Sequence, residues 1–156
     1  MTEYNIKNIA AIVDGKILQL YRETVIEHLL IDSRKVYSSS TSLFFALKGS
    51  RRDGHQFISE LCKRGIQNFI ISEVVNVADF PEANFILVGD TLEALQRLAG
   101  FHRKQFSIPV IGITGSNGKT IVKEWLYQLL HGNFNIVRSP KSYNSQIGVP
   151  LSIWQM

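Results

Sequence analysis

A chain of 156 residues, 45% of them hydrophobic, can bury a real core, which excludes a disordered tail. No apolar run approaches the roughly 18 residues of a membrane span, and "MTEYNIKNIA" lacks the basic-then-apolar order of a leader, so the expectation is a soluble cytoplasmic protein without membrane insertion. The net charge is +4, of which +3 falls in residues 112–156; with no long Lys/Arg tract and no aromatic–basic interleaving, a discrete phosphate ligand explains the surplus better than nucleic acid does.

In chain order, "HLLIDS" and "SLFFAL" are apolar runs of strand length separated by the turn "SSSTS". "GHQFISELCKRG" follows as a helix with Phe57, Ile58, Leu61 and Cys62 on one face and Gly65 as its stop. Cys62, the only cysteine, has no internal disulfide partner and reads as core. "NFIIS" and "NFILVG" are buried strands. "DTLEALQRLAGFHRKQF" is the strongest helix: Asp90 caps it, Glu93 stands where a capping-box partner belongs, and Leu92, Leu95, Leu98 and Ala99 form its apolar face. His28 and His102 read as structural, and His131 as a last-turn cation.

From Ile108 the pattern starts again. "PVIGI" reads as a strand, "TGSNGKT" as a turn, and "GKTIVKEWLYQLLHG" as an amphipathic helix burying Ile121, Trp125, Leu126 and Leu129. "NIVRS" reads as a second strand and "GVPLSIWQM" as a helix opening at Pro150. One strand-turn-helix-strand unit cannot cover both faces of a parallel sheet, so the expectation is an α/β chain of two regions, 1–107 and 108–156, the second truncated.

A strand feeding a glycine turn into a helix N-terminus is built for phosphate, because unpaired amides and the positive helix end face the anion. Gly115, Ser116, Asn117, Gly118, Lys119, Thr120 and Ile121 form this candidate ATP site. Lys119 would pair with the β/γ-phosphates, and the Thr120 hydroxyl would reach Mg²⁺. The strict phosphate-loop pattern wants glycine five residues before Gly118, and Ile113 stands there.

That departure is informative. "TGSNGKT" after an apolar strand resembles the ATP loop of the Mur ligases and of their relatives, the folylpolyglutamate synthases. "IDSRKV" at 31–36 is similar to the Asp-Ser-Arg motif of those Mur ligases that extend the muramyl peptide at its third residue or beyond. "SLFFALKGSRRDGHQFI" at 42–58 resembles the same family's Phe-Ala-x-x-Gly and Asp-Gly-His signature. "KSYNSQIGVPLSIW" at 141–154 and "GKTIVKEW" resemble the branch that adds D-Ala-D-Ala; Ser145 and Ile121 depart from its usual asparagine and threonine.

The resemblance implies a small α/β domain at 1–107 that binds the UDP end of the substrate, then the incomplete beginning of a P-loop ATPase-type parallel-sheet domain at 108–156. It implies ATP and Mg²⁺ as cofactors, with Lys119 and Thr120 catalytic and Thr120 the magnesium ligand. UDP-N-acetylmuramoyl tripeptide and D-Ala-D-Ala would be the substrates, joined through an acyl phosphate. The UDP-substrate set is Ser33, Arg34, Lys48, Gly49, Ser50, Arg51, Arg52, Asp53, His55, Asn144 and Ser145. Lys48, Arg51 and Arg52 form a basic loop suited to a diphosphate. Asp53 and His55 either contact sugar or base or fix the loop, and Asp32 caps a turn. Asn144 would face substrate or metal. The chain alone would be inactive, since the family's carbamylated lysine and its C-terminal domain lie elsewhere. A fusion to an alanine racemase, as in some bacteria, stays open. Two alternatives stand beside this reading: a ligase adding the third residue, and a non-catalytic nucleotide-sugar-binding module.

Overall fold

The computed structural model describes residues 3–34, 40–49, 52–140, 143 and 145–156. The elements are α1 (Ile6–Ile12), β1 (Lys16–Gln19), β2 (His28–Leu30), β3 (Ser42–Phe45), α2 (Ile58–Lys63), β4 (Asn68–Ile71), β5 (Asn84–Leu87), α3 (Thr91–Lys104), α4 (Lys119–Leu130) and α5 (Gly148–Ile153). One sheet runs in the order β1-β5-β4-β3-β2. The pairs β2/β3, β3/β4 and β4/β5 are parallel, and only the edge strand β1 is antiparallel. Mixed α/β architecture is thus as the sequence indicated. The pair α1 and β1 adds a helix and an edge strand that the pattern reading left unassigned.

The core has two sides because side chains alternate across each strand. On one side Phe44, Phe69 and Phe85 stand in register across three strands. Phe69 and Phe85 stack at 5.2 Å, and Phe44 meets Phe69 edge-on at 6.2 Å. Ile58 and Leu61 of α2 cover them, with half-buried Cys62 alongside, where burial pushes its thiol up to about 11. On the other side Phe45, Ile70 and Ile86 pack against Ile6 and Ile9 of α1 and Leu95 and Leu98 of α3.

Two fully buried asparagines open β4 and β5. Asn84 Nδ2 donates to Asn68 Oδ1 at 2.7 Å and to Arg22 O at 2.8 Å. Asn84 Oδ1 accepts from the Tyr21 and Arg22 amides, and Asn68 Nδ2 donates to Ser40 O and Ser42 O. This ladder satisfies backbone groups at the sheet's amino edge that burial would otherwise strand.

Asp90 caps α3 as expected, accepting from the Leu92 and Glu93 amides at 2.7 and 2.9 Å. The Glu93 carboxylate does not close a capping box; it accepts from Arg97 one turn on. His102 is buried at the end of α3, with its Nδ1 2.8 Å from the Tyr4 hydroxyl. The helix α5 begins at Gly148, two residues before Pro150, and packs on α3. Trp154 meets Tyr4 edge-on at 4.7 Å, and its indole N–H donates to Glu27 O at 2.9 Å.

The second region departs from expectation. Neither 109–113 nor 135–139 forms a strand, and Val110 and Ile111 are exposed. The helix α4 forms, yet its apolar stripe is not buried: Ile121, Trp125 and Leu129 are 57, 64 and 75% exposed, and Leu126 is partly covered. Strands need ladder partners, and neither segment has one among the described residues, whereas a helix closes its own hydrogen bonds. Instead, α4 is tethered by polar contacts. Lys123 Nζ donates to Ser139 O at 2.8 Å, Arg138 pairs with Glu124, and the Arg138 guanidinium lies 3.9 Å over the Tyr127 ring.

The Asn84→Leu variant should lose about 3 kcal/mol or more, since it leaves several buried polar groups unpaired. Asp90→Ala should lose only about 1 kcal/mol, the worth of an exposed cap. Urea denaturation followed by circular dichroism checks the order; a smaller loss for Asn84→Leu would deny the ladder its role.

Candidate functional site

Parallel strands release their following loops at one edge. The residues after β2 are Asp32, Ser33 and Arg34; after β3 comes the stretch Lys48 to His55; after β4, Ser72 and Glu73; after β5, Gly89 and Asp90. Open α/β sheets bind ligands at this carboxyl edge. The sequence-picked residues of the first region therefore gather on one rim.

The Asp-Ser-Arg turn is held from both sides. Asp32 Oδ1 accepts from the Arg34 amide at 3.1 Å, the turn-capping role expected of it. The Arg34 guanidinium forks onto the same carboxylate at 2.9 and 2.8 Å, which raises its already high pKa further. Ser33 is buried, and its carbonyl accepts from Arg64 beyond the end of α2. Thr91 Oγ1 donates to Ala46 O at 3.2 Å and ties α3 to the end of β3.

The described arms of the basic loop pair with each other. Lys48 and Asp53 form an antiparallel bridge, Gly49 N donates to Arg52 O at 2.8 Å, and Gly54 N donates to Leu47 O at 2.9 Å. Lys48 pairs with Glu73, the strongest influence raising its pKa. Arg52 is exposed. Ser50, Arg51 and Asn144 lie outside the described residues. Lys48 and Arg34 thus each rest on a carboxylate, which an incoming phosphate would have to replace. Asp53 accepts from the His55 amide at 2.9 Å and approaches the His55 ring at 2.6 Å, so its carboxyl is held below the usual range, first by the backbone bond and then by the ring. Ser145 Oγ accepts from Gly148 N at 2.9 Å at the start of α5.

The glycine turn forms as the sequence suggests. Gly118 precedes α4 with φ 79°, and Gly115 has φ 144°, both in the region that favours glycine. Among the described residues no side-chain hydrogen bond caps α4 at Gly118, a helix start of the kind that suits an anion. The Lys119 ammonium curls back onto Gly115 O and Ser116 O, inside the turn. Ile121 is exposed on the first turn.

Sequence reasoning missed Glu73, Ser72, Arg64 and Thr91. Each is an ordinary polar residue whose role depends on which strand ends become neighbours, so no local signal marks it.

An α/β protein carrying a phosphate-loop-like turn is the class that fold and turn define. The description "Mur ligase family, catalytic domain" matches residues 25–103, and "Mur ligase middle domain" matches 113–156. The chain belongs to the Mur ligase family. It is 36% identical over 158 residues to the UDP-N-acetylmuramoyl-tripeptide–D-alanyl-D-alanine ligase of Bacillus subtilis strain 168, covering 100% of this chain and 34% of that one. The enzyme of the same name from Escherichia coli K12 is 31% identical, covering 86% of this chain and 28% of its own. A crystal structure of MurF from Acinetobacter baumannii superposes with TM-score 0.86 at 28% identity, over 100% of this chain and 34% of that one. MurF ligase from Thermotoga maritima in complex with ADP superposes with TM-score 0.69 at 35% identity, over 82% of this chain and 29% of its own. The chain spans about a third of the length of these relatives. Among the described residues no helix is long and apolar enough to cross a membrane.

A depressed Asp53 carboxyl stabilises the fold above the unfolded carboxylate pKa of about 4, and this contribution is lost as pH falls through the lower native value. Denaturant midpoints measured from pH 6 down to 2.5 should therefore fall more steeply for the wild type than for Asp53→Asn. Parallel curves would contradict the assignment.

Proposed function

We propose that the chain is the substrate-binding domain, residues 1–107, and the beginning of the ATP-binding domain, residues 108–156, of a MurF-type ligase. The whole enzyme would join D-Ala-D-Ala to UDP-N-acetylmuramoyl tripeptide in the cytoplasm at the expense of ATP. The observation that carries this reading is the glycine-turned start of α4, with Lys119 folded into the turn. Its support from relatives is the run of D-Ala-D-Ala ligases aligned across both regions.

In this reading the tripeptide carboxylate attacks the γ-phosphorus and ADP leaves. The dipeptide amine then attacks the acyl phosphate carbonyl, loses a proton, and phosphate departs. Phosphoryl transfer of this kind relies on positioning and charge neutralisation. Lys119 would leave the Gly115 and Ser116 carbonyls for the β/γ-phosphates. Thr120, in the first turn beside them, fits as a protein ligand to Mg²⁺, an ion that takes few protein ligands and fills its shell with water and phosphate. When bound, Mg²⁺ would offset the charge of the phosphates. Ser33, Arg34, Lys48, Gly49 and Arg52, with Ser50 and Arg51, would hold the uridine diphosphate. Asn144 would lie toward substrate or metal.

Calorimetry with UDP-N-acetylmuramoyl tripeptide tests the first half. The chain should bind it, and Arg51→Ala with Arg52→Ala should weaken binding about tenfold or more, the scale of one lost charge-assisted contact. In the complete ligase, Lys119→Ala should abolish turnover and leave that binding nearly intact, because Lys119 acts on charge developing in the transition state. Normal turnover in Lys119→Ala would remove 115–121 from the ATP site. A chain that binds the nucleotide sugar within a protein that never ligates would favour the non-catalytic module.

A further inference from the structure

The Asp-Gly-His stretch has a geometry of its own. The His55 side chain is only 9% exposed. Its Nε2 accepts from the backbone amides of Ser72 at 3.0 Å and Glu73 at 3.3 Å. Backbone amides can only donate, so Nε2 carries a lone pair, and the ring proton of the neutral imidazole must sit on Nδ1. That proton points at Asp53 Oδ1, 2.6 Å away. Both ring nitrogens are used within the protein, and one tautomer is fixed by its partners.

Gly54 completes the arrangement. A Cβ there would lie 2.8 Å from the Ala46 backbone and the Leu47 nitrogen, so the chain presses against the end of β3 as no larger residue could. The hairpin that begins at Lys48 is thereby fastened to two strand ends. Its arms meet at the Lys48–Asp53 bridge, the Gly54 amide donates to Leu47 O just past the end of β3, and His55 holds it to the turn after β4. The donor atoms of Asp53, His55 and Glu73 also lie within 4.8 Å of one another. A cation on the His55 ring would have to displace the Nδ1 proton or the two amides, so the ring is better suited to bracing than to ligation.

We infer that His55 is a positioning residue for the UDP end of the substrate: with its proton fixed on Nδ1, it ties Asp53, and through it the paired arms Lys48–Gly49 and Arg52–Asp53, to the turn after β4, so that these residues are in place when the diphosphate arrives, and it does not touch the ligand. This rests on the reading of that loop as the UDP-binding loop. Arms held in place in advance spare the ligand part of the ordering cost, and loss of the brace returns that cost to the binding step.

Long-range ¹H–¹⁵N correlation on the chain should show a neutral Nδ1–H tautomer for His55. Calorimetry with UDP-N-acetylmuramoyl tripeptide should show about a tenfold weaker Kd for His55→Ala. The variant His55→Gln, whose amide oxygen can accept from Ser72 and Glu73, should recover part of it. In the complete ligase, His55→Ala should raise KM for the nucleotide-sugar substrate and leave KM for ATP and kcat nearly unchanged, a split that a general loss of stability does not produce. An Nε2–H tautomer overturns the inference, as does wild-type affinity in a folded His55→Ala. Should His55→Ala not fold, His55→Gln decides: a modest loss of affinity supports the brace, and no loss overturns it. A wild-type chain that does not bind the nucleotide sugar overturns the reading of the loop and the inference with it, an outcome distinct from wild-type binding that His55→Ala leaves unchanged.

Discussion

The parallel pairing of β2, β3, β4 and β5 is the constraint on which the remaining structure depends. It sends four consecutive strand exits to one rim, where Lys48, His55 and Glu73 become neighbours despite their separation in sequence. Register decides how high each exit stands. The Asn68–Asn84 bond at the opposite edge, and the Phe44–Phe69–Phe85 row above it, fix that register. A slip by one residue would turn phenylalanines toward the wrong layer and leave both asparagines without partners. The geometry at the rim is therefore set at the far end of the strands.

The two halves of the chain obey different rules. In the first, every apolar run finds a partner, and buried area dominates. In the second, the glycine turn and α4 form without one, because φ > 0 at Gly118 and the i→i−4 ladder are local properties. The flanking segments 109–113 and 135–139 join no ladder among the described residues. The turn's shape thus depends on its own residues and not on a neighbouring strand.

This division also explains what the sequence revealed. "NFIIS", "NFILVG" and "DTLEALQRLAG" were legible because continuous apolar runs and a capped 3.6-residue period carry strong local signals. "IKNIAAI" and "KILQ" were not, being a seven-residue helix and a four-residue strand with little punctuation. The strands expected at 109–113 and 135–139 had the right local pattern and no partner. At the rim, the residue types of the Asp-Ser-Arg and Asp-Gly-His stretches could be picked out, and so could the cap at Asp32. That Lys48 leans on Glu73, and that His55 reaches the turn after β4, depends on which strands are adjacent, and composition does not encode that.

The docking of α5 has a consequence for how the molecule comes into being. Tyr4 and His102 share an aromatic cluster with Trp154, which arrives some fifty residues after His102. During synthesis from the N-terminus, the sheet and its helices can close while that cluster still lacks its last ring. The nascent domain then carries an open aromatic seam until residues 148–154 emerge, by which time the glycine turn has already been made. The last ring of that cluster is supplied from the far end of the sequence, so the order of translation delays its completion until after α4 has been synthesised.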